Sequence, residues 1–254
     1  PLLRNADKSK LSKRKNPTSI NFYKEMGYLP EAILNYLGRM GWSMPNQEEK
    51  FTLQQMLDNF DITQVHLGGP IFDAEKLDWL NGRWIREELS DAEFGDRVAE
   101  WAFNKNHLSR MIPLVKERVE KFSDVVPMLS FMFSGMPILQ EASFEHKKLD
   151  NESVRQILQY SSWHLDTVTE WTRDNLYQKL NQIAVSLNLK LKDFLFPLFI
   201  GVVGAPSGPP LFDVMSILGP DIVRARLRSA LVAAGGASKK QLKQWESDYR
   251  QQAK

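Results

Sequence analysis

The chain has 254 residues, no cysteine, 43% hydrophobic and 25% charged residues and a formal net charge of +2, which excludes disulfides and thiolate zinc sites and suits a globular protein of two or three domains. The charge is uneven: residues 1–15 and 221–254 each carry a net +5, leaving 19 Lys/Arg against 27 Asp/Glu between them, so a protein that coats nucleic acid over its whole surface is excluded and any RNA contact must be local. No apolar run is long enough to span a membrane, and no apolar stretch follows the basic N-terminal residues as in a signal peptide.

In chain order, Pro1 to Asn5 reads as the end of a strand feeding a basic loop, Asp7 to Pro17, in which four lysines and an arginine fall within residues 8–15. Such a run cannot bury itself. Lys supplies mobile point charges and Ser neutral donors, a combination suited to a polyphosphate. Pro30 suits a first helical position, with Ile33, Tyr36, Leu37 and Met40 on one face and Gly41 as the stop. Thr52 with Gln55 predicts a capping box ahead of an apolar face of Leu53, Met56, Leu57 and Phe60, and Asp73 predicts the cap of a helix carrying Leu77, Leu80 and Trp84.

A second capping box, Ser90 with Glu93, predicts a helix marked by Phe94, Val98 and Trp101. Ser109 is the expected cap of the next helix, with Ile112, Val115, Val119 and Phe122 as one stripe and Arg118 beside it. Ser123-Asp124 opens an apolar helix from Val125 to Phe133, closed by Ser134-Gly135. Further on, Val154, Ile157, Leu158, Leu165 and Val168 form a helical face, Thr172 caps a helix with Leu176, Leu180, Ile183 and Leu187, and the Gly- and Pro-rich stretch from Gly201 to Pro210 marks a loop or tight connection. Pro220 opens a helix through Val223, Leu227, Ala230 and Leu231 that ends at Gly235-Gly236, and residues 238–254 are expected as a solvated helix or frayed tail. The periodicity throughout is helical, so the expected fold class is mainly all-α.

The scattered histidines, His66, His107, His146 and His164, have no metal-ligand spacing, so no metal site is expected. Carboxylate pairs such as Glu87-Glu88 read as exposed helix surface. The tryptophans, Trp101 and Trp171 among them, fall at helix-face spacing and read as core rather than as a base-stacking platform.

The core of the basic loop, Lys10-Leu11-Ser12-Lys13-Arg14, resembles the second ATP signature of class I aminoacyl-tRNA synthetases in the spelling of the glutamate enzymes. Asn21 to Trp42 and Gly69-Pro70-Ile71-Phe72-Asp73 resemble the following segments of bacterial glutamyl-tRNA synthetases, and the likeness continues to about residue 230. The resemblance implies that the chain is a C-terminal portion of such an enzyme, a helical stem-contact module followed by helical anticodon-binding domains of the α-helix cage type. The implied division is 1–20 as the end of the catalytic domain, 21–90 as the stem-contact domain, and 91–149 and 150–254 as the two parts of the anticodon-binding region.

It further implies ATP binding by Lys10, Leu11, Ser12, Lys13 and Arg14, with Lys13 catalytic in steadying pyrophosphate. Lys116-Glu117-Arg118 resembles a Glu-Arg pair of the anticodon-binding region, so Arg118 is the expected anticodon contact: a guanidinium can stack on a splayed base and hydrogen-bond its edge. The intact enzyme would use ATP, Mg2+ and glutamate, and join glutamate to its tRNA through a glutamyl-adenylate. Without the nucleotide-binding half, this portion is expected to be inactive and to bind no cofactor alone. A cytoplasmic monomer without membrane association is expected. The alternative is a stand-alone helical tRNA-binding module; a protein-interaction scaffold is a third reading. One departure from the family is Phe199, which stands where many bacterial members carry an arginine.

Overall fold

A computed structural model describes residues 2–12 and 17–252. These residues form twelve α-helices and several short 3-10 turns, and their only β-type pairing is two isolated bridges at Arg4. The chain divides into two compact units, Pro1–Asn104 and Lys105–Lys254. Among the described residues no helix is long and apolar enough to cross a membrane.

The first unit holds α1 (Ile20–Glu25), α2 (Pro30–Gly38), α3 (Leu53–Asn59), α4 (Ala74–Glu88) and α5 (Asp91–Ala102). Local chemistry sets the helix starts. Pro30 opens α2, the Thr52–Gln55 and Ser90–Glu93 boxes cap α3 and α5, and the Asp73 carboxylate accepts from Lys76 N at the start of α4. The α2 and α4 faces meet through Leu29, Ala32, Tyr36, Leu77, Leu80 and Trp84. Asn35 is the polar pin of this interface: its Oδ1 accepts from Trp84 Nε1 at 3.0 Å and Phe51 N at 3.3 Å, while its Nδ2 donates to Glu49 O at 3.2 Å.

Two expectations for this unit are corrected. The α2 helix ends at Gly38 rather than Gly41, and Gly41 at φ 104° turns the chain away three residues later. The expected apolar face of α3 is not a core face: Leu53, Leu57 and Phe60 are exposed, Met56 packs against the small cluster of Trp42, Met44 and Phe51, and the Phe60 ring lies 5.8 Å from that of Trp42. Glu87 and Glu88 lie exposed on α4, as expected, and Lys50 reaches both, at 2.8 Å in the case of Glu87, while lying over the Trp84 ring. The α5 helix packs within this unit through Trp101 Nε1, which donates to Glu25 O at 3.1 Å, and Arg97, which pairs with Glu31 at 3.1 Å.

The second unit holds α6 (Lys105–Val115), α7 (Val125–Phe133), α8 (Asn151–Leu165), α9 (Arg173–Ser186), α10 (Leu191–Val203), α11 (Leu211–Ala233) and α12 (Lys239–Gln252). One core joins them. Ile157, Leu158 and Leu165 of α8 meet Leu176, Leu180 and Ile183 of α9, Phe194 and Leu198 of α10, and Val223 and Leu227 of α11. The α11 helix is broken at Gly219, whose φ of 79° and ψ of 168° are not helical, and Pro220 opens its second half as its fixed φ favours.

One expectation fails here and another is refined. The stripe from Ile112 to Phe122 is not one helix. Ser109 lies inside α6, its hydroxyl donating to Asn106 O, and α6 stops two residues after Pro113, which has no N–H to offer the ladder. The chain then makes a 3-10 turn over Lys116–Arg118 and becomes extended at Val119, leaving Phe122 94% exposed. The C-terminal segment is a helix, α12, as one of the two expectations had it, but a docked one: Trp245 is 4% exposed in the core, and the Tyr249 ring packs on Tyr160, Trp163 and His164.

Candidate nucleic-acid interface

The basic loop is anchored by its flanks. Arg4 pairs on two sides: its N–H donates to Pro70 O and its carbonyl accepts from Phe72 N, both at 2.9 Å, while Leu11 N donates to Leu3 O at 3.0 Å and Asn5 N to Ser9 O at 2.8 Å. The turn between them passes through Lys8 at φ 61°, and Ser9 N donates to Asp7 Oδ1 at 2.9 Å. Gly69 permits this arrangement, because a Cβ there would stand 2.7 Å from Leu2 O. Lys10 is carried, exposed, on this fixed turn, followed by the half-buried Leu11 and Ser12. Lys13 and Arg14 lie outside the described residues.

In the second unit, Arg118 closes the 3-10 turn after α6 and is exposed. Its Nη1 donates to Gly208 O at 3.1 Å, in the Pro-rich connection between α10 and α11. Arg118 does not lie beside a continuous helical stripe as expected, since the helix ends at Val115. Arg110 Nη2 of α6 donates to Ser216 O of α11 at 3.1 Å, and Arg173 Nε of α9 lies 3.4 Å from Asp213 Oδ2. Three arginines are thus set along residues 208–216, each held by one contact to that segment. Phe199 packs partly buried against the core, and its phenyl ring offers no polar contact.

A further arginine escaped the sequence reading. Arg226, 1% exposed, directs Nη1 to Val202 O at 2.6 Å and Nη2 to Phe131 O and Ser134 O at 2.7 Å and Gly135 O at 2.9 Å. Burial pushes its pKa down to about 10, so it remains a cation at neutral pH. The signal was present in the sequence: Arg226 stands between Val223 and Leu227 on the face that packs inward.

Most tryptophans pack into the fold, as expected, whereas Trp79 is exposed. Trp171 Nε1 donates to Met215 O at 2.7 Å with Arg224 over its ring, and Trp101 lies against Gly27. The described histidines are engaged singly, His146 near Asp193 and His164 with Tyr249. No group of three metal-ligating side chains comes together among the described residues. Near Lys50, hydrogen bonds from Arg83 and then Lys50 hold the Glu87 carboxyl down to about 2.

Comparison with known proteins supplies the context for this geometry. Residues 93–231 match the family described as anticodon binding domain, and residues 1–79 match the catalytic domain of class I tRNA synthetases (E and Q). The chain is 54% identical over 249 residues to the glutamate–tRNA ligase of Marinobacter nauticus, 53% over 250 residues to that of Alcanivorax borkumensis, and 52% over 249 residues to that of Saccharophagus degradans. Each alignment covers 98% of this chain and 50% of the relative, so the chain spans about half the length of the curated relatives it matches. With more than half of its residues inside the anticodon-binding match, the chain belongs to the anticodon binding domain family, in the form carried by class I glutamate–tRNA ligases.

Proposed function

We propose that the chain is the tRNA-binding portion of a ligase that joins glutamate to its tRNA through a glutamyl-adenylate, with ATP as co-substrate and Mg2+ as its counter-ion. The observation that carries this reading is the exposed Arg118 held at Gly208 within the anticodon-binding match. In this reading Arg118 meets an anticodon base with the part of its guanidinium that Gly208 does not engage. The support is chemical: a planar guanidinium both stacks and donates in its own plane, as recognition of a splayed base requires.

In the same reading the basic loop faces ATP. Lys10, Leu11, Ser12, Lys13 and Arg14 would hold its phosphates, and Lys13 would stabilise charge that grows on the departing pyrophosphate. The described part of the loop fits this role, because backbone bonds at Leu3 and Asn5 fix the turn while Lys10 stays in solvent. We assign residues 21–90 to contact with the tRNA stem and the region from 91 onward to the anticodon. The working form is taken as a cytoplasmic monomer.

Titration of the 254-residue chain with tRNA for glutamate, and with the same tRNA altered in its anticodon, tests the proposal. Preferential binding of the glutamate tRNA is expected. Equal binding of both, or no binding, would overturn the anticodon assignment.

A further inference from the structure

Two chain segments must meet for Arg118 to touch Gly208. Arg118 sits on the connection from α6 to α7, and Gly208 on the connection from α10 to α11. Neither connection has regular structure long enough to fix its own course. The Gly208 connection leaves α10 through Gly204, whose left-handed φ of 83° ends the helix, and enters α11 at Pro210.

Both connections adjoin helices that converge on a single buried group, α10 with the end from which the Gly208 connection leaves and α7 with the end opposite the Arg118 connection. The C-terminal turn of α10 presents Val202 O, and the C-terminal end of α7 presents Phe131 O, Ser134 O and Gly135 O. All four carbonyls accept from the Arg226 guanidinium. These are carbonyls that a helix end leaves without a partner in its own ladder, and the negative pole of each helix points at the cation. No carboxylate pairs with Arg226 in these contacts; its charge is balanced by backbone dipoles. An apolar residue could fill this volume without the desolvation a buried cation suffers. What the guanidinium adds is geometry, because its planar fork fixes two helix ends relative to each other, as a flexible ammonium cannot.

We infer that Arg226 is a positioning residue for anticodon recognition: it sets the end of α10 against the end of α7 and thereby fixes the Gly204–Pro210 connection on which Arg118 is held. The inference rests on the reading of Arg118 given under the proposed function. Arg226 itself, buried beneath the surface, touches no RNA.

The test uses Arg226→Lys in the 254-residue chain, which keeps the charge but supplies its donors from a single nitrogen that cannot span both helix ends. Binding is measured for the glutamate tRNA and for an anticodon-altered tRNA, together with thermal midpoint and salt dependence. The expected result is a loss of about tenfold in the preference between the two tRNAs with the salt slope unchanged. That loss should be absent when Arg226→Lys is added to Arg118→Gln, since the two act through one contact. Leu180→Ala, a core truncation in α9, should lower the thermal midpoint while keeping the preference. If Arg226→Lys fails to fold, Gly204→Ala carries the test, because it strains the same connection at a left-handed residue while leaving Arg226 in place; it should reproduce the loss. A folded variant that keeps the full preference, or a Leu180→Ala chain that loses it equally, would overturn the inference. A wild-type chain without any preference would instead overturn the anticodon reading, and is told apart by needing no variant.

Discussion

Arg226 and Val202 stand on different helices, and the 2.6 Å bond between the guanidinium of one and the carbonyl of the other satisfies a helix end with a cation drawn from the core face of its neighbour. Replacing Arg226 by Met would leave four buried or half-buried carbonyls without this donor. Loss of about 3 kcal/mol or more of stability is expected, read as a lower urea midpoint with little change in slope. A loss below about 1 kcal/mol would show that water or a shifted side chain serves those carbonyls equally well.

Asn35 holds the first unit in a comparable way, through Trp84 Nε1, Phe51 N and Glu49 O. Asn35→Leu keeps the volume and strands all three groups, so a loss of about 2–4 kcal/mol is expected. Thermal melting of the parent and the variant reads this directly, and an unchanged midpoint would refute the role given to the amide.

Ser161 presents the opposite situation. Its hydroxyl is fully buried on α8 with no hydrogen-bond partner among the described residues. Ser161→Ala should be neutral or stabilising by up to about 1 kcal/mol, since it removes an unsatisfied polar atom and leaves only a small void. Destabilisation in a denaturant titration would mean that the hydroxyl has a partner, such as a bound water.

Acid should loosen the Lys50 cluster. The Glu87 carboxyl is held down to about 2 from an ordinary 4.5 by Arg83 and Lys50. A depressed carboxylate contributes stability that is fully present above its unfolded value and is lost as pH falls from about 4.5 through about 2. Glu87→Gln should therefore lower the neutral part of the stability curve slightly and flatten its acid limb, so that parent and variant converge at low pH, the effect being small and shrinking in added salt because the group is exposed. An acid limb identical to that of the parent would show that the pair contributes nothing in solution.

Arg118 can be changed without opening the core, being exposed. Arg118→Gln should weaken binding of the glutamate tRNA by roughly 1–3 kcal/mol, narrow the gap to an anticodon variant, and hardly move the thermal midpoint. Uniform weakening of all tRNAs with a shallower salt dependence would identify a phosphate contact instead.

What the sequence made legible was local. Thr52, Asp73, Ser90 and Thr172 cap helices because the atoms they bond lie two or three residues ahead, and Pro30 and Pro220 open helices because their φ is fixed by the ring. The basic loop and the Lys116–Arg118 segment were likewise visible as local patterns. The misreadings arose where distant packing decides. The spacing of Ile112, Val115, Val119 and Phe122 mimics a helix, yet only Val115 of that set is buried, because the helix ends there. Arg226 looked like a basic residue in a basic region, and its acceptors lie 24 to 95 residues away, beyond any window of periodicity. The attachment of Arg118 to Gly208 spans 90 residues and was equally hidden.

The docking of α12 bears on how the protein is made. Its Trp245 and Tyr249 complete a cluster begun by Tyr160 and Trp163, and the joint that lets the chain turn back is Gly235-Gly236, both at positive φ. During synthesis Tyr160 and Trp163 emerge long before the residues that cover them. The second unit thus leaves an aromatic face open to solvent until residues 239–249 have been translated, and ribosome-bound intermediates shorter than that should engage chaperones more strongly than the finished unit.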